Sequence, residues 1–318
     1  MASADAVLLI AFGGPTRPEE IRPFLENVTR GRRIPPERLE TVAHHYELIG
    51  GRSPLNELTF RQAEALRRTL GAPPVYVGMR NWEPYITTTL AQMALDGVRR
   101  ATGVILSPHA TESSRERYME TVEEGRSALG PRAPSVSYVP SWHVHPLFVD
   151  AVADRVRAAR ATLPEELRAG AALVFTAHSI PVPAAEQSPY VAEIEASARA
   201  VAARLDQPRW EIAYQSRSGN PRDPWLEPDI DATLERLAGK GAPAVVVEPI
   251  GFVCDHVEVL YDLDVAARAT ADRHGLAWAR ACSTSRCAAA RPAMPPPTTT
   301  TRRLVTRRGP APPRPACG

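Results

Sequence analysis

The sequence predicts an α/β protein of two similar halves, each a four-stranded parallel sheet flanked by helices. Short runs rich in β-branched residues alternate with longer amphipathic stretches along most of the 318 residues, the pattern of parallel βαβ units. The short runs are continuously apolar instead of alternating, as strands covered by helices on both faces must be. The halves also echo each other: VLLIAFGGP resembles LVFTAHSIP, and GVILSPHATES resembles AVVVEPIGFVCD. Such a repeat reads as a duplicated domain, here residues 1–142 and 143–281.

In the first half the β-rich runs are 7–12, 75–78, 103–107 and 135–139, and the amphipathic segments between them are 18–29, 54–70, 83–96 and 113–129. The second half repeats the order, with runs at 171–177, 210–214, 244–249 and 276–279 and helix-like segments at 146–163, 190–205 and 228–239. Residues 282–318 break the pattern. They are rich in Pro, Thr and Arg without apolar periodicity, which predicts a disordered tail or an altered reading frame.

Composition narrows the class. Hydrophobic residues make up 44% and charged residues 23%, the balance of a soluble globular protein. The 38 basic and 36 acidic residues are spread along the chain for a net charge of +2, so no polyanion-binding surface is implied and nucleic acid is not expected. The apolar stretch at 6–12 is too short for a signal sequence, and no run approaches the roughly 20 residues of a membrane span. A cytoplasmic protein is the expectation. Cys254, Cys282, Cys287 and Cys317 are too few for a disulfide scaffold.

Ligands of open α/β sheets bind beyond the carboxyl ends of the strands, which singles out the loops 13–16, 108–114, 178–183 and 251–258. His178 directly follows the run LVFTA. Its imidazole suits ferrous iron and proton transfer near neutral pH, and by residue type alone it suits a hydrogen-bonded structural role as well. Asp255, Glu258 and Asp262 recur at three- and four-residue spacing and would share one helical face, either as a cation or proton path or as an exposed acidic face favoured by the helix dipole. His256 would point about 100° away from that row. Gly13, Gly14 and Pro15 form no nucleotide-binding string. His109 reads as structural, and Trp142, His143 and His145 read as a linker instead of a ligand pair.

The motifs LLIAFGGP, YELIGGRSPLNELTFRQAEAL, FTAHSIP, YQSRSGNPRDPWLEPD and PIGFVCDHVEVLYDLD together resemble ferrochelatases over about residues 7–279, in order and spacing. The resemblance implies two Rossmann-like, chelatase-type domains clasping a porphyrin, with Fe²⁺ as substrate and with His178 and Glu258 handling the metal. It implies that Ser53 and Tyr118 hold the propionates and rim, and that Arg30, His45 and Tyr46 border the same cleft. Phe12 stands where some bacterial relatives carry a tyrosine that ligates the product iron, so it remains a contact without that ligation. Ala266 stands where an extended acidic row would continue beyond Asp262. Some relatives hold a [2Fe-2S] cluster through cysteines that Cys282 and Cys287 do not reproduce in spacing, and no cluster is assigned.

The segment 31–54 carries Arg32, Arg33, Arg38, His44, His45 and Arg52, a basic rim that suits four propionates better than two. Coproporphyrin III is therefore the expected substrate. Protoporphyrin IX, a cobalt or nickel chelatase acting on sirohydrochlorin, and a non-catalytic porphyrin or haem carrier are the rival readings. A monomer that contacts downstream haem-synthesis enzymes completes the expectation.

Overall fold

The computed structural model describes residues 4–31, 34–218 and 222–283. The first half contains β1 (Ala6–Ala11), α1 (Ile21–Val28), α2 (Pro36–Leu48), α3 (Leu55–Leu70), β2 (Val75–Met79), α4 (Ile86–Leu95), β3 (Arg100–Ile105), α5 (Arg117–Leu129) and β4 (Ser135–Tyr138). The second contains α6 (Pro146–Ala161), α7 (Glu165–Arg168), β5 (Ala172–His178), α8 (Val182–Glu186), α9 (Tyr190–Arg204), β6 (Glu211–Gln215), α10 (Ile230–Gly239), β7 (Ala244–Glu248), α11 (Val257–Leu260), α12 (Arg268–Arg273) and β8 (Ala277–Arg280). All pairings are parallel, in the orders β2-β1-β3-β4 and β6-β5-β7-β8. The two sheets thus share one topology, as the internal repeat predicts.

The period of two along each strand explains why the runs are apolar throughout. Leu8 and Ile10 of β1 face Ile86, Leu90 and Met93 of α4 and Val122 of α5, whereas Val7, Leu9 and Ala11 belong to the cluster that contains Leu55 and Leu58 of α3. In the second sheet Val174, Val245 and Val247 pack with Ile230 and Leu234 of α10. Leu173, Phe175 and Val246 join Val152, Val156, Ile194 and Val201 of α6 and α9 in the same cluster that holds Val7 and Leu9. One continuous core therefore runs under both sheets, and residues 4–283 lie in one compact unit.

The structure differs from the sequence expectation in several elements, among them the short helices α7, α8 and α12, which the expected segments do not include. The third strand is Arg100–Ile105 instead of 103–107, because pairing with β1 sets Ala6 opposite Ala101; the polar start of the strand hid it. Helix α2 occupies part of the segment read only as a basic rim, and its single buried face, Ala43 and Tyr46, is too thin to be legible. The helix expected over 113–129 opens with a π-helical turn, Glu112–Glu116, and a second such turn, Asp262–Ala267, joins α11 to α12. The tail expectation concerns residues that, from 284 onward, lie outside the described residues. No helix among the described residues is long and apolar enough to cross a membrane.

Candidate active site

Three loops at strand ends meet around His178 and Glu258. His178 is the last residue of β5 and pairs with Gln215 at the end of β6. Its Nδ1 donates to the carbonyl of Ser179, which turns Nε2 toward Glu258, 3.6 Å from Oε1. Glu258 reaches that position because the loop after β7 presses on the end of β5. A Cβ at Gly251 would lie 2.9 Å from the Cα of Ala177, so only glycine permits the approach. The side chains remain 29% and 41% exposed, open to an incoming ligand.

The short helix α11 is fixed from several sides. His256 caps it, its Nδ1 accepting from the N–H of Glu258 at 3.2 Å. The side-chain amide of Gln215 donates to the Glu258 carbonyl. Val257 packs on the cluster of Ile21, Phe24, Leu25, Ala43 and Tyr46 from α1 and α2, and the ring of His45 stacks on Tyr261 at 3.6 Å with 12° between planes. Phe24 sits edge-on to Phe12, Tyr46 and Trp82, with centroids 6.3, 6.2 and 5.9 Å away. Phe12, 38% exposed, forms the open edge of this aromatic wall.

Electrostatics couple these groups. Burial alone would raise the Glu258 carboxyl, but the charge and hydrogen bond of His178, aided by His256, hold it down at about 2. Burial would likewise lower His178, yet the charge and hydrogen bond of Glu258, the Ser179 carbonyl and Asp262 raise it above its ordinary value. Each group thus favours the charged form of the other. Asp262 is pushed up to about 7, first by burial and then by Glu258, against a hydrogen bond from the Ser216 hydroxyl. The phenols of Tyr46, Tyr118 and Tyr190 are raised by burial and further by the charge of Glu258. They stay neutral, and Tyr190 donates to the His178 carbonyl at 3.1 Å.

The expected acidic row is corrected. Asp255 lies ahead of α11 and is fully buried against Arg280, Oδ1 to Nη1 3.2 Å. The extended backbone of His256, φ −152°, takes Asp255 off the helical face. Glu258 and Asp262 remain coupled, without Asp255. His256 is corrected in the opposite direction, since its ring is 4.0 Å from Glu258 Oε2; the sequence signal was a polar residue two positions before Glu258, at a helix start. Reasoning from residue patterns also missed Gln215, Ser216 and Tyr190, although the first two lie in the quoted motif YQSRSGNPRDPWLEPD.

Of the other expected contacts, Ser53 is buried behind Gly14, where an added Cβ would come within 2.9 Å of its own Cβ, and its hydroxyl accepts from the N–H of Leu55 at 3.3 Å. Arg30 is exposed just beyond α1, close enough to Tyr85 to act on its phenol. Among the described residues neither makes a hydrogen bond or ion pair with His178 or Glu258. His109 is buried, with Nε2 2.9 Å from Ser197 Oγ, and burial lowers it to about 3. His143 lies 3.6 Å from Glu193 and His145 is exposed. Among the described residues no three His, Cys, Asp or Glu side chains converge on a metal position.

The ferrochelatase family model matches residues 4–289. The chain is 48% identical over 287 residues to the coproporphyrin III ferrochelatase of Mycolicibacterium vanbaalenii, covering 88% of this chain and 84% of that one. It is 49% identical over 280 residues to the enzyme of the same description from Mycobacterium ulcerans, with 87% and 81% covered. For that from Nocardia farcinica the identity is 46% over 291 residues, with 88% and 83% covered. Among solved structures, SirB from Bacillus subtilis with Fe³⁺ superposes with a TM-score of 0.56 at 12% identity, covering 88% of each chain. A multi-domain protein of Deinococcus radiodurans described as similar to chelatases gives 0.52 at 19% identity, covering 89% of this chain and 52% of that one. At these identities the two structures speak for the fold.

Proposed function

The chain belongs to the ferrochelatase family, and from that premise we propose that it inserts Fe²⁺ into coproporphyrin III, with His178 and Glu258 handling the metal. The observation that carries the reading is the pair itself, an imidazole nitrogen and a carboxylate oxygen 3.6 Å apart, partly exposed and beside the aromatic wall of Phe12, Phe24 and Tyr46. Insertion replaces two pyrrole protons by one Fe²⁺. With His178 Nδ1 tied to a carbonyl, its free face is Nε2, and any proton there must leave before the metal binds, so metal uptake and proton release are linked. Asp262, pushed up to about 7, is placed to take up a proton near neutral pH.

The substrate preference rests on the basic segment. Arg38 acts electrostatically on both His45 and Asp262, and His44, His45 and Arg52 lie in the same stretch, favouring a substrate with four carboxylates. Ser53, Tyr118 and Arg30 complete the contacts to the propionates and rim, and Phe12 packs on the ring. The named relatives are coproporphyrin III enzymes, which supports the same preference. The reading divides the chain at residues 1–142, 143–281 and 282–318, makes the protein a cytoplasmic monomer that contacts downstream haem-synthesis enzymes, and assigns no residue to an iron–sulfur cluster. An anaerobic assay of Fe²⁺ insertion into coproporphyrin III and protoporphyrin IX, with iron omitted as control, tests it. Clear preference for protoporphyrin IX would overturn the substrate assignment, and absence of insertion into either would overturn the function.

A further inference from the structure

Arg280 ends β8, outside the motifs that carry the family resemblance, and its guanidinium is completely buried. It holds two carboxylates at once. Nε and Nη2 donate to Asp264 at 2.6 and 2.8 Å, while Nη1 and Nη2 donate to Asp255 at 3.2 and 3.4 Å. Asp255 is three residues before Glu258, and Asp264 is six residues after it. The two partners therefore bracket the segment that carries the metal-handling carboxylate.

We propose that Arg280 is a positioning residue that sets where Glu258 stands by clamping the chain on both sides of it. The inference rests on the reading of Glu258 as a metal-handling residue. A four-residue helix such as α11 has too few internal hydrogen bonds to hold its own orientation, and the turn that follows it, Asp262–Ala267, is π-helical and interrupts the regular ladder. A planar guanidinium with five donors grips two carboxylates in fixed relative geometry, which an ammonium does not. Glu258 itself makes no bond to Arg280 among the described residues, so the clamp acts on its position while its charge is left to His178. Displacement of a reacting group by an ångström is enough to cost rate.

Three variants test the clamp: Asp264→Asn, which releases the far side and leaves the Arg280–Asp255 pair; Arg280→Lys, which keeps the charge but loses the fork; and Glu258→Gln as control. Soret titration gives coproporphyrin affinity, near-ultraviolet circular dichroism gives the fold, and steady-state insertion gives KM for each substrate. The expected result is a rise of about tenfold in KM for Fe²⁺ in Asp264→Asn and Arg280→Lys, with coproporphyrin affinity within about twofold of the parent and native dichroism. Should Arg280→Lys fail to fold, Asp264→Asn decides. Folded variants with parental KM for Fe²⁺, or a loss shared equally by both substrates, would overturn the clamp. A folded Glu258→Gln that inserts iron normally would instead overturn the metal-pair reading on which the clamp rests.

Discussion

Glu248, the last residue of β7, is fully buried, and its Oε2 has no hydrogen-bond partner among the described residues. Burial raises its carboxyl from 4.5 to about 8, Asp255 adds to the rise, and Arg280 and Arg155 oppose it. In the unfolded chain the group ionises near its ordinary value. Between pH 4.5 and 8 the folded protein thus binds a proton that the unfolded chain has lost, and stability must fall as pH rises. At about 1.4 kcal/mol per pH unit, the penalty is absent below pH 4.5, about 3 kcal/mol at pH 7 and about 5 kcal/mol above pH 8. Glu248→Gln carries no ionisable group and removes this slope. Urea unfolding of both proteins from pH 5 to 8 measures it, since Asp262 and the other titrating groups are common to both chains and cancel in the difference. The glutamine variant should gain on the parent steadily as pH rises. Curves that stay parallel to within about 1 kcal/mol, an error ordinary for such extrapolations, would refute the assignment of Glu248 as a buried neutral acid.

His178→Ala should abolish Fe²⁺ insertion while porphyrin still binds, and near-normal turnover would remove His178 from the site. The Glu258 charge raises His178, so insertion should increase with pH as the imidazole loses its proton; Glu258→Gln should move the His178 titration, followed by NMR of its ring protons, to lower pH, and an unchanged titration would contradict the pairing. Gly251→Ala would drive a Cβ to 2.9 Å from the Ala177 backbone, with a cost of about 1–3 kcal/mol and a loss of insertion from displacement of His178; thermal unfolding and the insertion assay check both. Phe12→Ala should weaken porphyrin binding, seen as a smaller Soret shift, with stability changed by less than about 1 kcal/mol, because the ring is substantially exposed.

Pattern alone made the α/β class and the duplication legible, because parallel strands buried on both faces leave long apolar runs that few other structures need. It also pointed to the loops holding His178 and Glu258, since strand ends are read from the same runs. It could not show which face a polar residue near a helix start would take. Asp255, Glu258 and Asp262 share a helical spacing, yet one extended residue at His256 sends Asp255 into the core and leaves Glu258 at the site. Helix α2 was invisible because its burial rests on Ala43 and Tyr46, both supplied with partners from distant elements.

The sequence by itself determined the architecture, the family resemblance and the residue types at the metal pair, all of which depend on local order and periodicity. Only the tertiary structure decided the 3.6 Å pairing, the opposite pKa shifts of Glu258 and Asp262, and the grip of Arg280 on Asp255 and Asp264. Those depend on distance and desolvation between residues far apart in the chain, and a carboxylate acquires its character from what surrounds it.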